Sequence, residues 1–237
     1  MNPYQKLLNR KRKWTPVQTN AGTCKAGAEE AIHRALALRH MELPVGDFIT
    51  DALSTEVPAL AREILGSNVQ DEENHDLALN YIANAYGVDE QAEAEALRLK
   101  SAWEAHPDHT ITKALVAERA IFFVLLPFFR FNGDAGMRTV SADISRDEQI
   151  HVATNSLVHT ELGYNISPSL DKLRKATINW VMQPLGNHSD KYLDKKFWLE
   201  SSDRLMYEGK APQLSETKAA RMPAFFEHSN VNLPQYA

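Results

Sequence analysis

The chain has 237 residues, of which 43% are hydrophobic and 24% charged, with a net charge of -5 and a pI near 6.0. That length can bury one substantial core, and no run of about 18 apolar residues marks a membrane span. Mild acidity gives no general pull toward nucleic acid, and the single Cys24 leaves no intrachain disulfide and fits a reducing cytosol. Met1-Asn-Pro-Tyr-Gln-Lys lacks the apolar stretch of a secretory signal, so the expectation is a soluble, cytoplasmic protein.

In chain order, an irregular arm is expected to residue 26, with the basic run Arg10 to Lys13 as a solvated turn. Helices follow at 27–43, 48–66, 68–86, 89–105, 110–131, 135–163, 169–185 and 188–209. They are punctuated by Pro44 with Gly46, Gly66-Ser-Asn, Gly87-Val-Asp, His106-Pro-Asp, Asn132-Gly-Asp, Gly163-Tyr-Asn and Gly186-Asn-His. No segment alternates as a strand does, so the reading is all-α, one helical domain over 27–209. Pro127 falls in the most apolar helix and should distort it, because its nitrogen cannot donate to the Phe123 carbonyl. From 210 to 237 three prolines and scattered polar residues predict an extended tail. It retains Phe225, Phe226, Val231, Leu233 and Tyr236, a pattern suited to docking on a partner.

Two Glu-x-x-His units carry the chemistry: Glu72 with His75, and Glu148 with His151. At i and i+3 a carboxylate and an imidazole leave one helix face. Two such helices, with a lone acid from each of two others, make the ligand set of ferritin-like di-iron and di-manganese bundles. About one Glu-x-x-His is expected by chance in such a chain, so position must decide. Around Glu118 the stripe runs Ile111, Leu115, Ile121, Phe122, Leu125 and Phe129, which aims this acid into a core. Both units lie on apolar stripes too, whereas Glu30 and His33 share a face with Arg34 and His40 and read as a decoy. Glu42 falls on the small apolar face of Ala28, Ala31, Ala35 and Leu38 and is the choice for the fourth acid. The set is Glu42, Glu72, His75, Glu118, Glu148 and His151, whose four negative charges two divalent cations, iron or manganese, would cancel. Phosphate loops, zinc knuckles and Ser-His-Asp chemistry have no support, and the phenylalanines near Glu118 read as packing.

The stretch Ala117-Glu118-Arg-Ala-Ile-Phe-Phe-Val followed by Ile144-Ser-Arg-Asp-Glu148-Gln-Ile-His151 resembles the small, radical-generating subunit of class I ribonucleotide reductase. The resemblance spans roughly residues 28 to 165, and its specific part is Glu118 to His151. It implies a ferritin-like helical homodimer that reacts two metal ions per chain, Fe and/or Mn, with oxygen or a reduced oxygen species. The resulting one-electron oxidant passes to a large catalytic subunit, bound through the C-terminal tail, which converts ribonucleotides to deoxyribonucleotides. It further implies that Asp147 hydrogen-bonds a ligating imidazole, His75, that Trp14 links to Asp147, and that Tyr236 is the tail's relay tyrosine. The family's radical tyrosine stands four residues after the first histidine, where this chain has Leu79; Tyr81 is about 120° away. That departure implies an oxidant held on the metals or on another tyrosine. The chain is also short for the family, as a pared-down, phage-type member would be. A stand-alone dinuclear-metal oxygenase, with Leu79 leaving room for a substrate, is the alternative; an iron-storage protein is a third.

Overall fold

The computed structural model describes residues 2–55 and 57–215, and every regular element among them is helical, with no strand. The helices are α1 Pro3–Leu8, α2 Glu29–Ala37, α3 Glu42–Leu53, α4 Arg62–Tyr86, α5 Glu90–Glu104, α6 Thr110–Ala117, α7 Phe123–Asn132, α8 Ala135–Glu161, α9 Pro168–Met182, α10 Lys195–Glu208 and α11 Pro212–Ser215. A 3-10 turn, Leu38–Met41, joins α2 to α3, and a π-turn, Glu118–Phe122, joins α6 to α7. No helix among the described residues is long and apolar enough to cross a membrane.

Four rods form the centre. α3 packs on α4 and α6, and α8 packs on α4, α6 and α7. The α6–α7 rod is buried nearly all round, from Ile111 through Phe129, as its continuous apolar sequence requires. On α8 the buried positions Val140, Ile144, Glu148, His151, Asn155 and Val158 recur at three and four residues, so its polar ligand candidates sit inside an apolar stripe. α4 does the same with Ile64, Leu65, Glu72, His75, Leu79 and Ile82. The helix starts are set by side chains accepting orphan amides: Asp89 from Ala92, Asp134 from Met137, Ser167 from Leu170 and Asp194 from Lys196. Gly87, at φ +100°, closes α4 in a conformation that favours glycine.

Several predicted boundaries are corrected. Pro44 and Gly46 do not end a helix. The 3-10 turn closes on the Glu42 amide, which donates to Arg39, and α3 starts anew with Pro44 in its first turn, where a missing N–H is tolerated. Gly46 is instead a packing residue: a Cβ there would meet Cβ and Cγ of Glu72 at 3.4 and 3.5 Å, so α3 lies close on α4 at a ligand candidate. The expected helix at 48–66 is broken before Pro58, whose ring disfavours helical backbone at Val57, and α4 runs straight through Gly66. The buried stripe on both sides of Gly66 outweighs the ~1 kcal/mol that a helical glycine costs. Helix distortion in 110–131 sits at Glu118–Phe122, ahead of Pro127, which α7 accommodates. The last two long helices stop at Met182 and start at Lys195, with turns between.

The arm is not merely irregular. Asn2 caps α1, Tyr4 and Leu7 of that helix are buried, and the Tyr4 hydroxyl donates to Glu161 at 2.8 Å. The basic run is not a solvated turn either: Lys11 pairs with Asp71, and Arg12 donates to Asp143 at 3.0 Å. Further on, the Gly22 amide donates to Asp134. Of the tail expected from 210, residues 212–215 are helical; Tyr236 and the tail's other aromatic residues lie outside the described residues.

Gly46 gives a test. Alanine fits at ordinary contact distance and gains helix propensity, so Gly46→Ala should leave stability unchanged or raise it by about 0.5–1 kcal/mol. Gly46→Leu should cost about 1–3 kcal/mol by overpacking and displace Glu72. Thermal melts of the two variants should therefore move in opposite directions or by clearly unequal amounts.

Candidate metal centre

All six predicted ligands meet between α3, α4, the π-turn and α8, and each is no more than 1% exposed. Glu42 comes from the first residue of α3, Glu72 and His75 from α4, Glu118 from the first residue of the π-turn, and Glu148 and His151 from α8. Glu72, His75, Glu148 and His151 each offer an atom within 4.8 Å of the others, a group able to hold metal. The two imidazoles stack with centroids 5.5 Å apart.

The distances order the set. His75 Nδ1 lies 3.3 Å from Glu148, 3.5 Å from Glu72 and 3.8 Å from Glu42. His151 Nδ1 lies 2.9 Å from Glu72 and 3.8 Å from both Glu118 and Glu148. Glu72 and Glu148 thus stand between both imidazoles, while Glu42 and Glu118 stand at opposite ends, one beside each histidine.

Burial without hydrogen bonds marks this cluster. Glu42 Oε2, both oxygens of Glu72 and of Glu148, Glu118 Oε1, and Nδ1 of His75 and His151 are all buried and lack a partner in hydrogen-bonding geometry. A buried orphan polar atom costs about 1–3 kcal/mol, and more when charged. So many orphan polar atoms around one point are compatible with a metal site. Mixed carboxylate and imidazole donors fit divalent iron or manganese.

Behind the ligands stand two aspartates. Asp147 Oδ2 lies 3.4 Å from His75 Nε2 and accepts the Trp14 indole N–H at 2.6 Å, with Arg12 Nε 3.7 Å from its other oxygen. Asp71 Oδ2 lies 2.9 Å from His151 Nε2 and pairs with Lys11. The aspartate of each helix therefore holds the histidine of the other, leaving both Nδ1 atoms aimed inward. Asp71 is the residue that sequence reasoning missed. Its signal was present, since both motifs read Asp-Glu-x-x-His, Asp71 to His75 and Asp147 to His151. Asn155, one turn after His151, was missed too; its amide donates to Glu118 Oε2 at 2.6 Å.

The decoy stays outside. Glu30 is exposed and paired with Arg34, and His33 packs its ring on Tyr86, 5.0 Å between centroids. Leu79, one turn after His75, is buried in the core.

The titratable groups of the cluster shift one another strongly. Burial pushes the Glu42, Glu118 and Glu148 carboxyls up, offset only in part by the histidines. It raises Glu72 as well, but His151 and His75 outweigh it and hold that acid below the usual range. Burial lowers both imidazoles, yet the facing carboxylates win: Asp147, Glu148 and Glu42 lift His75 strongly, and Glu148, Asp71 and Glu72 lift His151 to about 10. Burial also raises Asp147, and His75 and Trp14 reverse it to a net lowering.

A pH dependence follows with a definite sign. Groups whose folded pKa is raised bind more protons folded than unfolded, so they stabilise at low pH and lose that contribution as pH rises. For the three raised glutamates the loss starts near their unfolded value of 4.5, and for the histidines near 6.5, continuing to about 10 for His151. Glu72 and Asp147 act oppositely, but only below their unfolded values of 4.5 and 3.8. The melting temperature of metal-free protein should fall steadily from pH 6.5 to 10, and bound metal should abolish the slope by displacing the protons. A metal-free melting temperature that rises over this range would contradict the electrostatics of the cage. No family model matches the chain, and no curated protein sequence matches it.

Proposed function

We propose that this chain is the radical-generating small subunit of a class I ribonucleotide reductase, working as a cytoplasmic homodimer with a large catalytic subunit. The observation that carries the reading is the path from Trp14 through Asp147 to His75. A half-buried indole on the arm donates to the carboxylate that faces the outer nitrogen of a ligand candidate. A cage that only stored metal would have no use for such a contact, whereas an oxidant that must leave a sealed core needs one.

Two divalent ions, iron, manganese or one of each, would supply the one-electron oxidation on reaction with oxygen. The chain's own part is legible. Glu72 and Glu148, which lie between both imidazoles, and Glu42 and Glu118 at the ends would hold the ions together with His75 and His151. The apolar walls keep water from the ligands, none of which is more than 1% exposed. Asp147 fixes His75 and can take the indole proton as Trp14 is oxidised, which keeps charge from building up in an apolar setting. Leu79, buried one turn after His75, offers no phenol there to take up an oxidising equivalent. The residues from 210 onward, Tyr236 among them, would dock the large subunit.

Leu79 also favours the second reading, a stand-alone oxygenase, because a missing phenol frees oxidant for a substrate. Protein loaded with iron, manganese or both, then exposed to oxygen, separates the two by electron paramagnetic resonance. A persistent oxidised centre at about two metals per chain supports the radical-generating subunit. Steady oxygen consumption with no persistent oxidised state supports the oxygenase. Trp14→Phe should keep metal content and slow reduction of the oxidised centre by an added one-electron donor about tenfold, a barrier change of about 1.4 kcal/mol. An unchanged rate would remove the indole from the path.

A further inference from the structure

The two halves of the cage are backed differently. On the His75 side, Asp147 receives a neutral indole at 2.6 Å, and the nearest guanidinium nitrogen is 3.7 Å from its far oxygen. On the His151 side, the same oxygen of Asp71 that faces the imidazole at 2.9 Å is held by the ammonium of Lys11. Lys11 also donates to the buried Asn68 side chain at 3.0 Å, which fixes the ammonium in place. The end acids differ in the same sense. Glu118 has one oxygen occupied by the Asn155 amide at 2.6 Å.

We propose that Lys11 is a positioning residue that makes the metal centre unequal, weakening the His151 half through Asp71, so that the His75 half fills first. The proposal rests on the dinuclear reading. An ammonium on Asp71 neutralises the carboxylate that would otherwise make His151 a stronger donor, and its positive charge opposes a cation on the other side of the ring. The Asn155 hydrogen bond withdraws density from Glu118 in the same half. Trp14 carries no charge, and the Arg12 guanidinium reaches only the far oxygen of Asp147 at 3.7 Å, so Asp147 keeps more of its effect on His75 than Asp71 keeps on His151. The segment Lys11 to Trp14 thus reaches both aspartates from one stretch of arm and sets the difference between them.

Titration of metal-free full-length protein with manganese(II) alone, with the free ion read by electron paramagnetic resonance, tests this. Two classes of site are expected, with His151→Ala removing the weaker and His75→Ala the tighter. Lys11→Met should tighten the weaker class by about tenfold, within the range over which partners of ligating imidazoles act. Asp71→Asn should loosen it further, and Lys11→Arg should restore the native gap. Circular dichroism on each variant checks that the helices persist. A merely structural role for Lys11 predicts that Lys11→Met and Asp71→Asn both loosen binding, which would overturn the proposal. Two ions bound with equal affinity by the native protein would overturn it while leaving the dinuclear reading intact. Fewer than two ions bound would overturn both.

Discussion

Four carboxylates and two imidazoles face one another inside a bundle with almost no solvent contact, and much of the structure follows from that arrangement. Four unscreened anions in an apolar core are untenable, since desolvation alone costs several kcal/mol per charge. Basic side chains stand behind the aspartates, and the centre could hold metal ions. Lys11 and Arg12 both come from the arm, so the arm is a part of the charge balance and not a loose leader.

The same constraint explains the helix geometry. A carboxylate and an imidazole at i and i+3 reach one point only if their helix is regular there, and α4 and α8 are long and unbroken around both units. The two lone acids come from irregular places. Glu42 follows a 3-10 turn, and Glu118 opens a π-turn. Both sit where the helical pitch changes, and a local change of pitch is a way to aim one side chain without moving the whole rod. Gly46 completes the arrangement by letting α3 close on α4 beside Glu72.

Behind the ligands the two halves are related by an exchange. Each Asp-Glu-x-x-His helix orients the imidazole of the other, so neither half-site is complete on its own helix. The rings are then held from outside while their Nδ1 atoms stay free to bind inward. The arm reaches both aspartates from outside, with an indole and a guanidinium on Asp147 and an ammonium on Asp71.

What the sequence by itself determined was local. Helical class, the two Glu-x-x-His units and the burial of Glu118 were readable because period and stripe are properties of neighbouring residues. Glu42 was found as well, but on the wrong helix, since Pro44 reads as a stop unless the 3-10 turn before it is known. Pro58 was the available sign for the break that was misplaced to Gly66. Tertiary structure decided the rest. The repeated Asp-Glu-x-x-His pattern marked Asp71 for notice, but not what it holds, because its partners, His151 and Lys11, stand 80 and 60 positions away. The basic run looked solvated for the same reason: a lysine finds its carboxylate only when the arm crosses α4 and α8. Pitch changes at single turns and pairings across the bundle depend on how helices close on one another, and no window of adjacent residues contains that information.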